Sequence, residues 1–150
     1  MTLQEVLRRL GACGEGVSWA AGKTLAQAYR NCASTDDMIW FARRIGVDDK
    51  ILHALACQFA RRVVYLTTDP RSEAAIVAKE RWLRGEISDD ELAAAWSAAW
   101  SAAASAASAA EEAVVESGGS RSAERAAQCD MIRAAIPLEM VKENLAKVTL

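Results

Sequence analysis

Residues 92–110 read LAAAWSAAWSAAASAASAA, a stretch of nineteen residues that carries no charge and consists almost wholly of Ala, Ser and Trp. Alanine has the highest intrinsic helix propensity, so this composition alone favours one long helix. The preceding SDDE at 88–91 has the spacing of a capping box, and Gly118-Gly119 supplies a stop signal. The sequence therefore predicts a helix over residues 89–117.

Two interpretations of this Ala-rich helix stay open. Trp96 and Trp100 are four residues apart and lie on one side, while the small side chains elsewhere let another helix approach closely. The helix can be the centre of the fold with the tryptophans as core anchors. Alternatively, part of its face is exposed and forms a homo-oligomer interface or a ligand groove.

The Ala-rich stretch is also long enough to be considered as a membrane span. Ala and Ser contribute little burial free energy, however, and acidic clusters flank both ends without a basic side to orient insertion. The N-terminal MTLQEVLRRL lacks the long apolar segment of a signal peptide. We therefore expect a protein of the cytoplasm that makes no membrane contact.

The rest of the chain is predicted to form helices separated by short turns, and no segment shows sustained strand alternation. With 150 residues, the chain suits one all-helical domain over residues 1–150. The predicted class is all-α, an irregular multi-helix bundle built around the Ala-rich helix. The other predicted helices cover residues 2–10, 15–21, 24–31, 34–45, 48–66, 72–84, 122–135 and 137–146.

Composition excludes several function classes. A net charge of −2 disfavours a DNA-binding protein, which would be basic, and an acidic nucleic-acid mimic, which would be far more negative. The four cysteines form no CxxC pair and there is one histidine, so no metal site and no cofactor are predicted, and free buried thiols are expected. His53 and Cys57 could share a helix face as a nucleophile pair, but no orienting group or oxyanion site accompanies them. We do not expect an enzyme.

Two arginine pairs are the strongest candidates for binding an anion: Arg43-Arg44 on the fourth predicted helix and Arg61-Arg62 on the fifth. The planar guanidinium suits phosphate or carboxylate. Neighbouring residues on a helix diverge by about 100°, so each pair can place one member in a site. The alternative is that these arginines are solvated or form ion pairs with aspartates at helix starts. Those aspartates are Asp36, Asp37, Asp48 and Asp49.

Three blocks of the chain, together with the Ala-rich helix that follows ERWLRGEISDDEL, carry a family resemblance. They are LQEVLRRLGACGEGVSWA at 3–20, DDMIWFARRIGVD at 36–48 continued by HALACQFARRVVYL at 53–66, and CDMIRAAIPLEMV at 129–141. They resemble the family-five-like immunity proteins of bacterial polymorphic-toxin systems, which phages also encode. The resemblance spans nearly the whole chain and includes no catalytic signature.

The resemblance implies a small cytosolic protein from a bacterium or phage that neutralises a protein toxin or defence effector by binding it. It provides no motif-level set of functional residues. The residues themselves allow a second hypothesis, a phage-type sponge that sequesters an anionic nucleotide second messenger between helices or protomers. Such a sponge requires buried arginines and stacking by Trp or Phe. The candidate residues for binding a ligand or partner are Trp40, Arg43, Arg44, Arg61, Arg62, Trp96 and Trp100.

Overall fold

A computed structural model describes residues 1–66, 70–95, 114–115 and 120–149, and these residues are helical with connecting turns and no strands. The all-α prediction is confirmed. Residues 89–95 and 114–115 are also helical. The helices are α1 (Leu3–Leu10), α2 (Gly14–Trp19), α3 (Leu25–Asn31), α4 (Thr35–Arg44), α5 (Asp49–Val63) with a 3₁₀ turn at Val64–Leu66, α6 (Pro70–Leu83), α7 (Arg121–Ala135) and α8 (Leu138–Thr149).

The predicted start of the Ala-rich helix is confirmed. The Ser88 hydroxyl accepts a hydrogen bond from the Glu91 backbone N–H at 3.1 Å, and helix begins directly after it. The remainder of that prediction lies outside the described residues. This applies to Trp96, to Trp100 and to the Gly118-Gly119 stop.

Side-chain caps set the starts of several other helices. Thr2 and Glu5 form a capping box on α1, Thr24 forms another at the start of α3, and Ser34 accepts from the third residue of α4. These starts agree with the sequence prediction. Several boundaries differ from the prediction by two or three residues, among them the start of α6 and the end of α8. Helix α6 already begins at Pro70, because a proline at the first helical position loses no hydrogen bond. Helix α8 continues to Thr149, because no glycine or proline follows to end it.

The chain comprises two compact units. The first combines Met1–Asp49 with the chain from Arg125 onward, so its two segments are far apart in sequence. Its core contains the fully buried side chains Ile45, Ile132, Ile136 and Val141.

Hydrogen bonds tie α3 to α7 inside this first unit. The Tyr29 hydroxyl donates to the Ile136 carbonyl at 2.6 Å. The Arg133 guanidinium donates to the Tyr29 carbonyl at 3.1 Å and to the Cys32 carbonyl. The last carbonyls of a helix lack partners within it, and here a side chain of another helix supplies them.

The second unit is Lys50–Glu124. Apolar residues of α5 and α6 are buried in it, with Leu55 fully inaccessible and Leu52, Ala75 and Ile76 less than 9% exposed. The expectation of one domain over 1–150 stays a prediction. Among the described residues, no helix combines the length and the hydropathy that crossing a bilayer requires.

Candidate functional site

Two basic helix ends meet in the first unit. Helix α1 ends at Gly11, which has the left-handed φ of 83° typical of a glycine C-cap, and Arg8 and Arg9 occupy its last turn. Arg43 and Arg44 occupy the last turn of α4, where a positive charge favours the helix dipole. The Arg44 Nη2 atom lies 3.8 Å from the position that a Cβ on Gly11 would take. We call Arg8, Arg9, Arg43 and Arg44 the arginine surface.

Trp40 supports this arginine surface from within α4. The Arg44 Cζ atom lies over the Trp40 ring, 5.7 Å from its centroid, as expected for residues four apart on a helix. Trp40 is half-buried and Arg44 is exposed. The structure therefore brings together two of the residues predicted from sequence, Trp40 and Arg44, whereas Arg43 lies about 100° around the helix from Arg44.

The arginine surface has no carboxylate partner within the described part of the chain. All four side chains are exposed, and none of the ion pairs found there includes them. Of the aspartates expected as partners, Asp36 and Asp37 stay exposed at the opposite end of α4. The positive charge of this surface is therefore not compensated by a direct contact.

Glu5 is the acidic residue on α1 nearest to Arg8 and Arg9 in sequence, but it is engaged elsewhere. Its carboxylate accepts from the Thr2 backbone N–H at 2.7 Å and from the Thr2 hydroxyl at 3.0 Å. The backbone hydrogen bond from Thr2 is the main cause of a lowered Glu5 pKa, so the group stays ionised as a cap. An open depression of about 460 Å³ lies here, lined by Met1, Glu5, Arg8 and Arg9.

The second predicted arginine pair is neutralised by its own chain. Arg61 bonds Glu73 at 2.5 Å and Glu80 at 2.8 and 2.9 Å. Arg62 makes two parallel bonds to Glu124, at 2.9 and 3.0 Å. The hydrogen bonds that Arg61 donates to Glu80, and to a lesser degree to Glu73, raise the pKa of Arg61, and the bond from Arg61 lowers the pKa of Glu80.

This ion-pair cluster of Arg61, Arg62, Glu73, Glu80 and Glu124 differs from the sequence interpretation in its partners. The acceptors are glutamates of α6 and α7, whereas the aspartates at the helix starts were the expected ones. Aspartates near in sequence are not automatically near in space, and the tertiary structure instead places glutamates of α6 and α7 within reach of these arginines.

A depression of about 400 Å³ between α5 and α6 adjoins this cluster, and Cys57, Arg61, Glu80 and Arg84 are among its lining residues. Both arginines are paired, since Arg84 bonds Glu86 at 2.7 Å. Burial raises the pKa of the Cys57 thiol, which disfavours the thiolate that a nucleophile requires. The groups at this depression therefore offer neither a free cation nor an activated nucleophile.

Trp82 of α6 organises a further contact group that the sequence did not reveal. The His53 ring packs edge-on against it with centroids 5.3 Å apart, and the Lys79 ammonium lies 4.7 Å from its ring centroid. The Trp82 indole N–H donates to the Asp89 carboxylate at 2.6 Å. Burial lowers the Lys79 pKa. Trp82 thus joins α5, α6 and the start of the Ala-rich helix within the second unit.

Arg8 and Arg9 were also missed as candidate binding residues. The sequence signal was present, because LRRL at the end of α1 repeats the double arginine of ARRI at the end of α4. Among the described residues, no three histidine, cysteine or acidic side chains form a group that could hold a metal ion. All four cysteines are free thiols, but the prediction of burial is confirmed only for Cys57 and Cys129, since Cys32 is half-buried and Cys13 is exposed.

Comparisons of the chain with protein-family models, with curated proteins and with solved structures returned no match. The relationship to immunity proteins therefore stays a prediction that rests on the sequence blocks quoted above. The functional argument depends on the geometry of the arginine surface and of the ion-pair cluster.

Proposed function

We propose that this chain is a non-enzymatic binding protein that neutralises a protein toxin or a bacterial defence effector by covering part of its surface. The observation that carries the proposal is the arginine surface, whose four exposed guanidinium groups have no carboxylate partner in the described chain. Arginine and tryptophan are the residues most enriched at binding hot spots, and Trp40 lies beneath Arg44. The resemblance to immunity proteins points in the same direction and implies action in the bacterial cytosol.

Electrostatics explains how such a surface would help a neutralising protein. An inhibitor must find its target quickly, and complementary charge raises the association rate well above that of neutral surfaces. The chain as a whole is slightly acidic, with a net charge of −2, so the four arginines form a local positive region. Such a region favours a target with an acidic surface. Because the chain as a whole is slightly acidic, it should attract nucleic acids and other polyanions of the cell less than a basic protein would.

The ion-pair cluster weakens the alternative of a nucleotide sponge. A sponge was expected to use Arg61 and Arg62 together with the first pair, yet both are already bonded to glutamates. A phosphate would have to displace those carboxylates before it could bind. Trp40 is also covered on one ring face by the Arg44 guanidinium, which leaves less of the ring for stacking on a base.

Native mass spectrometry tests the proposal directly. The tagged chain is recovered from bacterial cells, with and without phage infection, and its mass is compared under native and denaturing conditions. We expect a protein-sized partner at a fixed ratio to the chain. Expressed alone, that partner should slow bacterial growth, and co-expression of the chain should restore it.

A matched pair of variants links the partner to the arginine surface. The double variant R43E/R44E should lose the partner mass and the growth rescue. The double variant R121E/R125E changes net charge equally at two other exposed arginines and should retain both. A nucleotide-sized adduct released on denaturation would instead establish the sponge, and a partner whose toxicity is unchanged by the chain would overturn the neutralising role.

A further inference from the structure

We infer that Arg44 is the preorganised carboxylate clamp of the arginine surface, and that the partner segment seated there is an acidic stretch of protein. This inference rests on the proposed function and deepens it, because it names the anchoring residue and the chemistry of the partner. It depends on three features: the two neighbours that position the guanidinium, its unoccupied donors, and the limited extent of the basic region.

The guanidinium of Arg44 has two neighbours, Trp40 and Gly11. The Trp40 ring lies under it, with 5.7 Å between Cζ and the ring centroid. Gly11 at the end of α1 lies beside it, where an added Cβ would sit 3.8 Å from Nη2. The guanidinium of Arg44 therefore lies between the Trp40 side chain and the end of α1. A binding group held in this way loses less conformational entropy when a partner arrives.

Arg44 makes no hydrogen bond to the described chain, so its N–H donors are available to a ligand. Other arginines in this structure show the engaged state. Arg61 and Arg62 bind glutamates, and Arg133 binds two backbone carbonyls. The fork of five N–H donors can take both oxygens of one carboxylate, a geometry that a lysine ammonium cannot reproduce.

A second cation–aromatic pair in the same unit provides an internal comparison. The Lys23 ammonium lies 4.5 Å from the Trp19 ring centroid, and the two residues are again four positions apart in the sequence. That ammonium also donates to the Trp19 carbonyl, so it is engaged in closing the end of α2. The Trp40–Arg44 pair has the same spacing without the internal acceptor. The difference assigns the Lys23 pair a local structural role and leaves the Arg44 pair available for a ligand.

The extent of the basic region favours an acidic peptide over a nucleic acid. The same helix that ends in Arg43 and Arg44 begins with the exposed Asp36 and Asp37, roughly 10 Å away along a helix that rises about 1.5 Å per residue. An extended phosphate backbone would meet these aspartates, and repulsion would oppose its binding. A short segment with two or three carboxylates can stay within the arginine surface.

The test is an NMR titration of the full ¹⁵N-labelled chain, observed at the arginine Nε–Hε groups, with an acetylated and amidated hexaglutamate peptide as the probe. Hexaglutamine and inorganic phosphate serve as comparison ligands. We expect a saturable shift of the Arg44 resonance with hexaglutamate that weakens as salt is added. Hexaglutamine should cause no shift, and phosphate should bind more weakly than hexaglutamate.

Two charge-conserving variants make the test specific for the clamp. R44K retains the charge and loses the fork, so its affinity for hexaglutamate should fall by about tenfold. R125K makes the same exchange at an exposed arginine outside the arginine surface, and it should change the affinity by less than about twofold. Equal affinity in R44K and the parent, equal shifts of all arginine resonances, or tighter binding of phosphate would each overturn the clamp.

The outcomes separate this inference from the proposed function. If R44K retains a captured protein partner as well as the parent does, the clamp is wrong and the binding function stands. If hexaglutamate binds at Arg44 as expected while the native complex contains only a nucleotide, the clamp stands and the neutralising function is wrong.

Discussion

Replacement of Arg133 by methionine should destabilise the first unit, because this one side chain closes the end of α3. Its Nε donates to the Tyr29 carbonyl at 3.1 Å, its Nη2 donates to the Cys32 carbonyl, and its Nη1 bonds Asp130 at 2.9 Å. The side chain is only 24% exposed, whereas the Asp130 side chain is 77% exposed. Methionine preserves the apolar stem and removes every donor.

The magnitude follows from these contacts. A hydrogen bond that involves a charged group contributes about 1.5–3 kcal/mol, so the loss of two such bonds to half-buried carbonyls amounts to about 3–6 kcal/mol. Water can reach part of the site once the guanidinium is gone, which reduces the expected loss to about 2–4 kcal/mol. Asp130→Ala should cost less than about 0.5 kcal/mol, because the ion pair with Arg133 is largely solvated.

Urea unfolding followed by far-ultraviolet circular dichroism measures both variants against the parent. Arg133→Lys should give an intermediate loss, because one ammonium cannot serve two separated carbonyls in the way that the fork does. The reasoning is refuted if Arg133→Met stays within about 0.5 kcal/mol of the parent, or if Asp130→Ala costs as much as Arg133→Met.

Three further predictions concern pH, packing and charge. Burial raises the pKa of Tyr29 to about 12, so the neutral phenol stabilises the fold fully below pH 10, and this contribution is lost as the pH rises from 10 toward 12. Alkaline urea titrations of the parent should show that loss of about 1–2 kcal/mol, and Tyr29→Phe should not. Ile132→Ala should lower the unfolding free energy by about 3 kcal/mol in urea, since Ile132 is fully buried, whereas the exposed Val148→Ala should change it by less than about 0.5 kcal/mol. Glu80→Gln should cost at most about 1 kcal/mol, and added salt should shrink the difference in melting temperature, because the bond to Arg61 is solvent-accessible.

Helix starts were predictable because their determinants are local. The caps at Thr2, Thr24, Ser34 and Ser88 each depend on a side chain and a backbone N–H three residues away. Such a contact needs no knowledge of the rest of the fold. The ends were less certain, and α8 ran past its predicted end because no residue there forces a stop.

The candidate site was only partly predictable. The sequence identified Trp40 and Arg44 as binding residues, and their contact follows from the helical spacing of four. It missed Arg8 and Arg9, which share the surface because α1 and α4 end beside each other at Gly11. The interpretations that depended on Trp96 and Trp100 concern a part of the chain outside the described residues.

What the sequence determined by itself is the helical class and the positions of the helix starts, because propensity, capping and the apolar period act over three or four residues. What only the tertiary structure decided is which arginines are free. Arg61 bonds a glutamate nineteen residues away and Arg62 one that is sixty-two residues away, whereas Arg44 meets an aromatic ring and a glycine. Whether a charge is neutralised depends on which side chains the packing brings within a few ångströms, and no spacing along the chain specifies that distance.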